Sequence, residues 1–289
     1  MTGASPDPAR EADWPRDRLD RDYRARDCVT PEAFERIIGA YRALSADAVH
    51  RVASVRGLRY DADSDELLDL WGVGGAALKP AVLCIHGGFW RALSRADTAF
   101  MAPALARNGI VTIVPDYTLA PAASLSEIVR QMRAALAFVW HRAEDFGIDR
   151  RRILVTGSSA GGHLAACLVS PGWQAGFGLP PQPVHAAMPI SGLFDLAPIA
   201  ACHVQEWMNL SAAEVEALSP LRAPPAPQPR MVVAVAETET PGFHRQSAAY
   251  AHRLGVPLLS VSGRNHFDIF LDLADPDSQM FRMLCALLE

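Results

Sequence analysis

The stretch ILVTGSSAGGHLA at residues 153–165 decides the fold. Ile153-Leu154-Val155-Thr156 is a short apolar run without polar alternation, which suits a strand buried on both faces of a parallel sheet. Gly157-Ser158-Ser159-Ala160-Gly161 follows at once, and Gly161 to Leu168 reads as a helix. A serine on so sharp a strand-to-helix turn is held with its Oγ clear of the sheet, and glycines two residues to either side remove Cβ atoms that would collide across the turn. The helix behind it aims backbone N–H groups at developing negative charge. Ser158 lacks the paired glycines, so Ser159 is the expected nucleophile.

Outward from this turn the same pattern repeats. Ala81–Ile85, Ile110–Val114, Ala187–Ile190, Met231–Val235 and Leu258–Val261 are further short apolar runs. Helical segments fall between most of them, at about Ala96–Arg107, Leu125–Phe146, Phe243–Leu254 and Asp277–Leu288. Alternating strands and helices predict an α/β fold with a mostly parallel, doubly wound sheet flanked by helices. Two β-like segments, Val52–Tyr60 and Glu66–Trp71, predict an antiparallel start to that sheet. Pro189 has no N–H to give a ladder and is expected to mark that strand's end or an irregularity in it. Before the sheet, Thr30-Pro31 is an N-cap followed by proline at N1, and Phe34, Ile37, Ile38, Tyr41 and Leu44 keep helical spacing. Residues 1–28 are polar and charged and read as a mobile or loosely packed arm with helical character, leaving 29–289 as one domain.

Acyl transfer at a serine needs an oxyanion site, a base and an acid. His86-Gly87-Gly88-Phe89-Trp90 follows the Ala81–Ile85 run, 73 residues before Ser159. Its glycines let the backbone turn N–H groups toward an oxyanion, so the amides of Gly87, Gly88 and Phe89, with that of Ala160, are the expected donors. His86 itself is expected to brace the loop. Of the histidines after Ser159, only His266 closely follows a late apolar run, where open α/β sheets place their sites. The acid should follow the Met231–Val235 run, and Glu237 and Glu239 both qualify on spacing. Phe89, Trp90 and Phe267 flank these residues in sequence and are expected to bind substrate.

Bulk properties narrow the class. Of 289 residues half are apolar, and the formal net charge of -5 gives no reason to expect nucleic acid. Five scattered cysteines without C-x-x-C spacing, no apolar leader and no apolar run of ~18 residues point to a cytoplasmic location away from membranes. No histidine cluster has metal spacing, and no cofactor is required. The expected partner is a small-molecule substrate, with a homodimer left open.

The segments HGGFW (86–90), DYTLAP (116–121), GSSAGGHLA (157–165), SGLFDL (191–196), PGFHRQS (241–247) and NHFDI (265–269) together resemble the kynurenine formamidase (arylformamidase) family of the α/β-hydrolase superfamily. HGG and GxSxG are shared with hormone-sensitive-lipase-like esterases, whereas the FHRQS and HFDI segments are the discriminating ones. The resemblance implies Ser159 as nucleophile, His266 as base and Glu239 as acid, where relatives often carry aspartate. It also implies hydrolysis of N-formyl-L-kynurenine through a formyl-serine. A short-chain carboxylesterase and a catalytically silent binding protein on the same fold are the rival readings.

Overall fold

The apolar runs become the strands of one nine-stranded sheet in the computed structural model, which describes residues 8–289. In chain order these are β1 (Ser54–Arg59), β2 (Leu67–Trp71), β3 (Lys79–Ile85), β4 (Val111–Pro115), β5 (Ile148–Ser158), β6 (Ala186–Ile190), β7 (Arg230–Met231), β8 (Val233–Thr238) and β9 (Leu258–Asn265). Their spatial order is β1-β2-β4-β3-β5-β6-β8-β9, with β7 paired to β6. The β1–β2 and β2–β4 pairs are antiparallel and the other pairs are parallel, as the sequence predicts.

Side chains on a strand alternate between faces, so a continuously apolar strand feeds two layers at once. Ala81, Leu83 and Ile85 of β3 pack into one core with α4 (Leu125–His141) and α5 (Ala160–Val169). Val82 and Cys84 face the other core, with α3 (Ala102–Arg107) and α10 (Gln279–Leu288). The helix expected from Ala96 begins only at Ala102, because Pro103 is favoured in a first turn and fixes the start there. Pro189 lies inside β6, opposite Gly157, rather than at its end. The cost is small because β6 meets β8 at a single residue pair, Ile190 with Ala234, so few ladder bonds are expected on that side.

The arm departs most from expectation. Residues 1–7 of it lie outside the described residues, and Glu11, Leu19, Tyr23 and Ala25 are buried against the rest of the fold. A 3-10 turn (Pro8–Asp13) and α1 (Arg16–Asp22) pack against α9 (Pro241–Leu254), and a second 3-10 turn (Ala25–Cys28) follows. Leu19 and Tyr23 are fully buried. Buried Glu11 accepts from Tyr23 Oη at 2.9 Å and from Arg245 Nε and Nη2 at 2.7 and 3.0 Å, and Arg245 also donates to Asp22 at 2.6 Å. Gln246 donates to Tyr23 Oη at 3.1 Å. A polar composition therefore hides a docked segment, since the carboxylates of Glu11 and Asp22 are neutralised by Arg245, more than 200 residues away.

The sheet's direction of winding reverses between β3 and β5. Parallel α/β sheets open their ligand crevice at the carboxyl ends of strands flanking such a point. Those ends lead into His86-Gly87-Gly88 and into Ser159.

Candidate active site

Ser159 stands alone between β5 and α5, at φ 59° and ψ −117°. A non-glycine residue in that region is strained and persists only where its surroundings hold it. Here its N–H donates to Ile190 O at 2.9 Å, and its carbonyl accepts from His163 N at 3.0 Å. The turn is as tight as the sequence requires. A Cβ on Gly161 would stand 2.1 Å from Ile85 O, so the backbones of α5 and β3 can cross only over glycine. A Cβ on Gly87 would stand 2.7 Å from Ser158 O, which brings the Gly87 loop directly against the serine.

That loop is shaped for anion contact. Gly88, Phe89 and Trp90 all have positive φ, at 93°, 49° and 57°. Among the described residues, the amides of Gly88, Phe89 and Ala160 donate to no protein acceptor. His86 braces the loop, as expected: its Nδ1 lies 3.0 Å from Gly87 O and its ring stacks on Tyr117 at 4.1 Å. Burial pushes the His86 pKa down, which keeps the ring neutral. Buried His163 is likewise pushed down, to about 4, and its Nε2 bonds Leu218 O at 2.8 Å.

His266 follows β9, in a turn that Asn265 fixes by accepting from the N–H groups of Phe267 and Asp268 at 3.0 and 3.2 Å. Tyr41 of α2 (Pro31–Arg51) donates to Phe267 O at 2.6 Å and ties the turn to the rest of the fold. His266 Nδ1 lies 2.9 Å from Glu239 Oε2, and both side chains are almost completely buried. An ionised carboxylate can only accept, so Nδ1 carries the proton and Nε2 keeps its lone pair. Glu239 Oε1 accepts from Ala236 N at 2.8 Å and from Ser191 Oγ, which aims the carboxylate. Glu237, the other carboxylate allowed by spacing, is exposed and accepts instead from Gly263 N at 2.7 Å. The structure thus brings Glu239 to His266 and leaves Glu237 at the surface.

Ser159 and His266 share one cavity of about 570 Å³. Of the aromatics expected there, Phe89 and Phe267 line it. Trp90 does not: it is fully buried with its indole edge-on to His163 at 5.2 Å, because the positive-φ turn sends successive side chains to different sides. Phe34, Trp207 and the arm residues Arg24, Ala25 and Arg26 line the cavity and were not anticipated. Ser191 was missed too, although its place immediately after β6, beside β8, was a usable signal. Cys28 sits beside the His266 backbone with its thiol pushed up by burial, which disfavours it as a competing nucleophile.

Among the described residues, Asp20, Cys202 and His203 bring metal-ligating atoms within 4.8 Å of one another. Three donors fall one short of a closed tetrahedral site. The carboxylate is also taken up by the His203 N–H at 2.5 Å, and the Cys202 thiol donates to Ile199 O at 3.3 Å. No helix of the described residues is long and apolar enough to cross a membrane.

A mostly parallel sheet with a strained serine elbow and a buried His–Glu pair beside it defines a hydrolase of the α/β-hydrolase class. The superposition on an esterase of the archaeon Pyrobaculum calidifontis agrees in fold, with a TM-score of 0.72 at 19% identity over 88% of this chain and 89% of that one. Residues 72–175 match the family described as BD-FAE. Over 216 residues the chain is 31% identical to the kynurenine formamidase of Salmo salar, covering 71% of each, and it is 29% identical over 215 residues to that of Danio rerio, again covering 71% of each. The chain belongs to the kynurenine formamidase family.

Proposed function

We propose that the chain hydrolyses an aryl formamide, foremost N-formyl-L-kynurenine, to the free aryl amine and formate. The observation that carries this reading is the buried 2.9 Å contact of His266 with Glu239 in a cavity shared with Ser159. His266 Nε2 takes the Ser159 proton as Oγ bonds to the formyl carbon. The amides of Gly88, Phe89 and Ala160, with Gly87 giving the backbone room, stabilise the oxyanion. His266 then passes its proton to the aryl nitrogen as the C–N bond breaks. Water, deprotonated by the same ring, attacks the formyl-serine, and formate leaves as Ser159 regains its proton. Glu239 stabilises the imidazolium in both halves.

A formyl group has no side chain to recognise, so selectivity must come from the leaving group. The aromatic walls Phe34, Phe89, Trp207 and Phe267 suit an aniline ring. Comparing kcat/KM for N-formyl-L-kynurenine and p-nitrophenyl acetate tests the proposal. A much higher value for the ester would make this a carboxylesterase.

A further inference from the structure

The cavity over Ser159 carries an unbalanced charge. Four arginines line it (Arg24, Arg26, Arg42 and Arg91), against one carboxylate, Glu35. Two of the four are already neutralised: Arg42 Nε lies 3.2 Å from Asp97, and Arg24 Nη1 lies 3.9 Å from Asp27. Among the described residues, Arg26 and Arg91 have no carboxylate within salt-bridge distance. Each is instead laid flat on an aromatic wall of the same cavity. The Arg26 guanidinium carbon is 3.4 Å from the centre of the Phe34 ring, and that of Arg91 is 3.6 Å from the Trp207 ring. Stacking fixes the plane of a guanidinium while leaving its edge N–H groups free to donate. Two such groups above an aromatic cleft form a site for a planar anion joined to an aromatic ring.

We propose that Arg26 and Arg91 form a carboxylate-recognition subsite, which makes the enzyme selective for leaving groups whose aryl ring carries a chain ending in a carboxylate. This inference rests on the hydrolase reading of the same cavity and specifies its substrate class. Arg26 belongs to the docked arm and Arg91 to the loop that follows Phe89, so the arm supplies half of the subsite. Arg26 and Arg91 are specificity residues, since neither meets the reacting atoms in this scheme.

The test uses matched pairs of substrates that differ only in a carboxylate on the leaving group: 3-(4-formamidophenyl)propionate against its primary amide, and 3-(4-acetoxyphenyl)propionate against its primary amide. The ratio of kcat/KM, anionic over neutral, should fall about tenfold in Arg26→Met and in Arg91→Met, the loss expected for one charge-assisted hydrogen bond. The double variant should fall further. If the double variant keeps the wild-type ratio, the subsite does not exist. The ester pair reads the arginines even if formamides are not turned over, so a failed formamidase reading and a failed subsite remain distinguishable. A second measurement uses the wild-type protein alone. A 3-arylpropionate should inhibit at least tenfold more strongly than its primary amide, and added salt should narrow the gap. Equal inhibition by acid and amide would overturn the proposal.

Discussion

Replacing Glu239 by glutamine alters one atom of the carboxylate yet should nearly abolish turnover. Oxygen Oε1 is held by the Ala236 N–H at 2.8 Å and by Ser191 Oγ, so the carboxamide oxygen will take that place. Its NH2 group then faces His266 Nδ1, at the 2.9 Å now occupied by an acceptor. Two donors cannot share that contact, so the imidazole must move its proton to Nε2, and that nitrogen can no longer accept from Ser159. Converting a triad carboxylate to an amide in this way costs about 10³- to 10⁴-fold in kcat, equivalent to about 4–5.5 kcal/mol of barrier. Single-turnover hydrolysis of N-formyl-L-kynurenine and of p-nitrophenyl acetate should both show it, with the far-UV spectrum unchanged. Glu237→Gln is the control. It keeps an acceptor for Gly263 N at an exposed edge and should stay within about twofold, the rate equivalent of ~0.5 kcal/mol. An E239Q protein within tenfold of wild type, or a large loss in E237Q, would refute the assignment.

Three further outcomes are expected. Arg245→Met leaves the Glu11 carboxylate buried without its cation, which should lower the unfolding free energy in urea by about 3–5 kcal/mol, while the Glu11→Gln/Arg245→Met pair should recover much of that loss; equal losses in both proteins would mean that the ion pair does not hold the arm. Gly161→Ala forces a Cβ to 2.1 Å from the Ile85 carbonyl, a backbone atom that cannot swing aside, and should destabilise by about 3 kcal/mol or more with loss of esterase activity; a stable, active variant would show that the elbow is looser than described. His163 has its folded pKa depressed to about 4, so the unfolded chain binds the extra proton between about pH 6.5 and 4, and stability present above pH 6.5 is lost as pH falls through that window. The loss from this group should reach about 3 kcal/mol, and His163→Gln should flatten the acid side of a stability-versus-pH curve; an unchanged slope would count against it.

How far the sequence could be read depended on whether a feature was local. The strands were legible because burial on both faces leaves a run of apolar residues with no alternation, as in Ile153–Val155. The turn that carries Ser159 was legible because it needs glycines at fixed offsets. The place of His266 beside the cavity was legible from its position after the last strand. Glu239 against Glu237 was not, because β8 ends at Thr238, and only the turn after it decides which carboxylate swings inward. Trp90 misled because neighbours in sequence share a face only on regular backbone, and here three consecutive residues, Gly88 to Trp90, have positive φ. The arm's docking was not legible, because Glu11 and Asp22 look solvated until Arg245 is known to meet them. Family resemblance had singled out the segment containing Arg245 and Gln246, and the structure gives that segment a physical task, clamping the arm.

The docked arm also sets an order of events during synthesis. Glu11 and Arg245 are 234 positions apart, so the arm leaves the ribosome long before its seat on α9 exists. Contacts of such wide sequence separation close late in folding. Arg24, Ala25 and Arg26 wall the cavity, so its entrance is finished only when the nearly complete chain closes on its own beginning. A nascent or C-terminally truncated product would carry the serine elbow but lack the arm's part of the cavity wall and, without His266, the imidazole that meets Glu239. The cavity is thereby assembled from segments far apart in the chain, and it closes only when they meet.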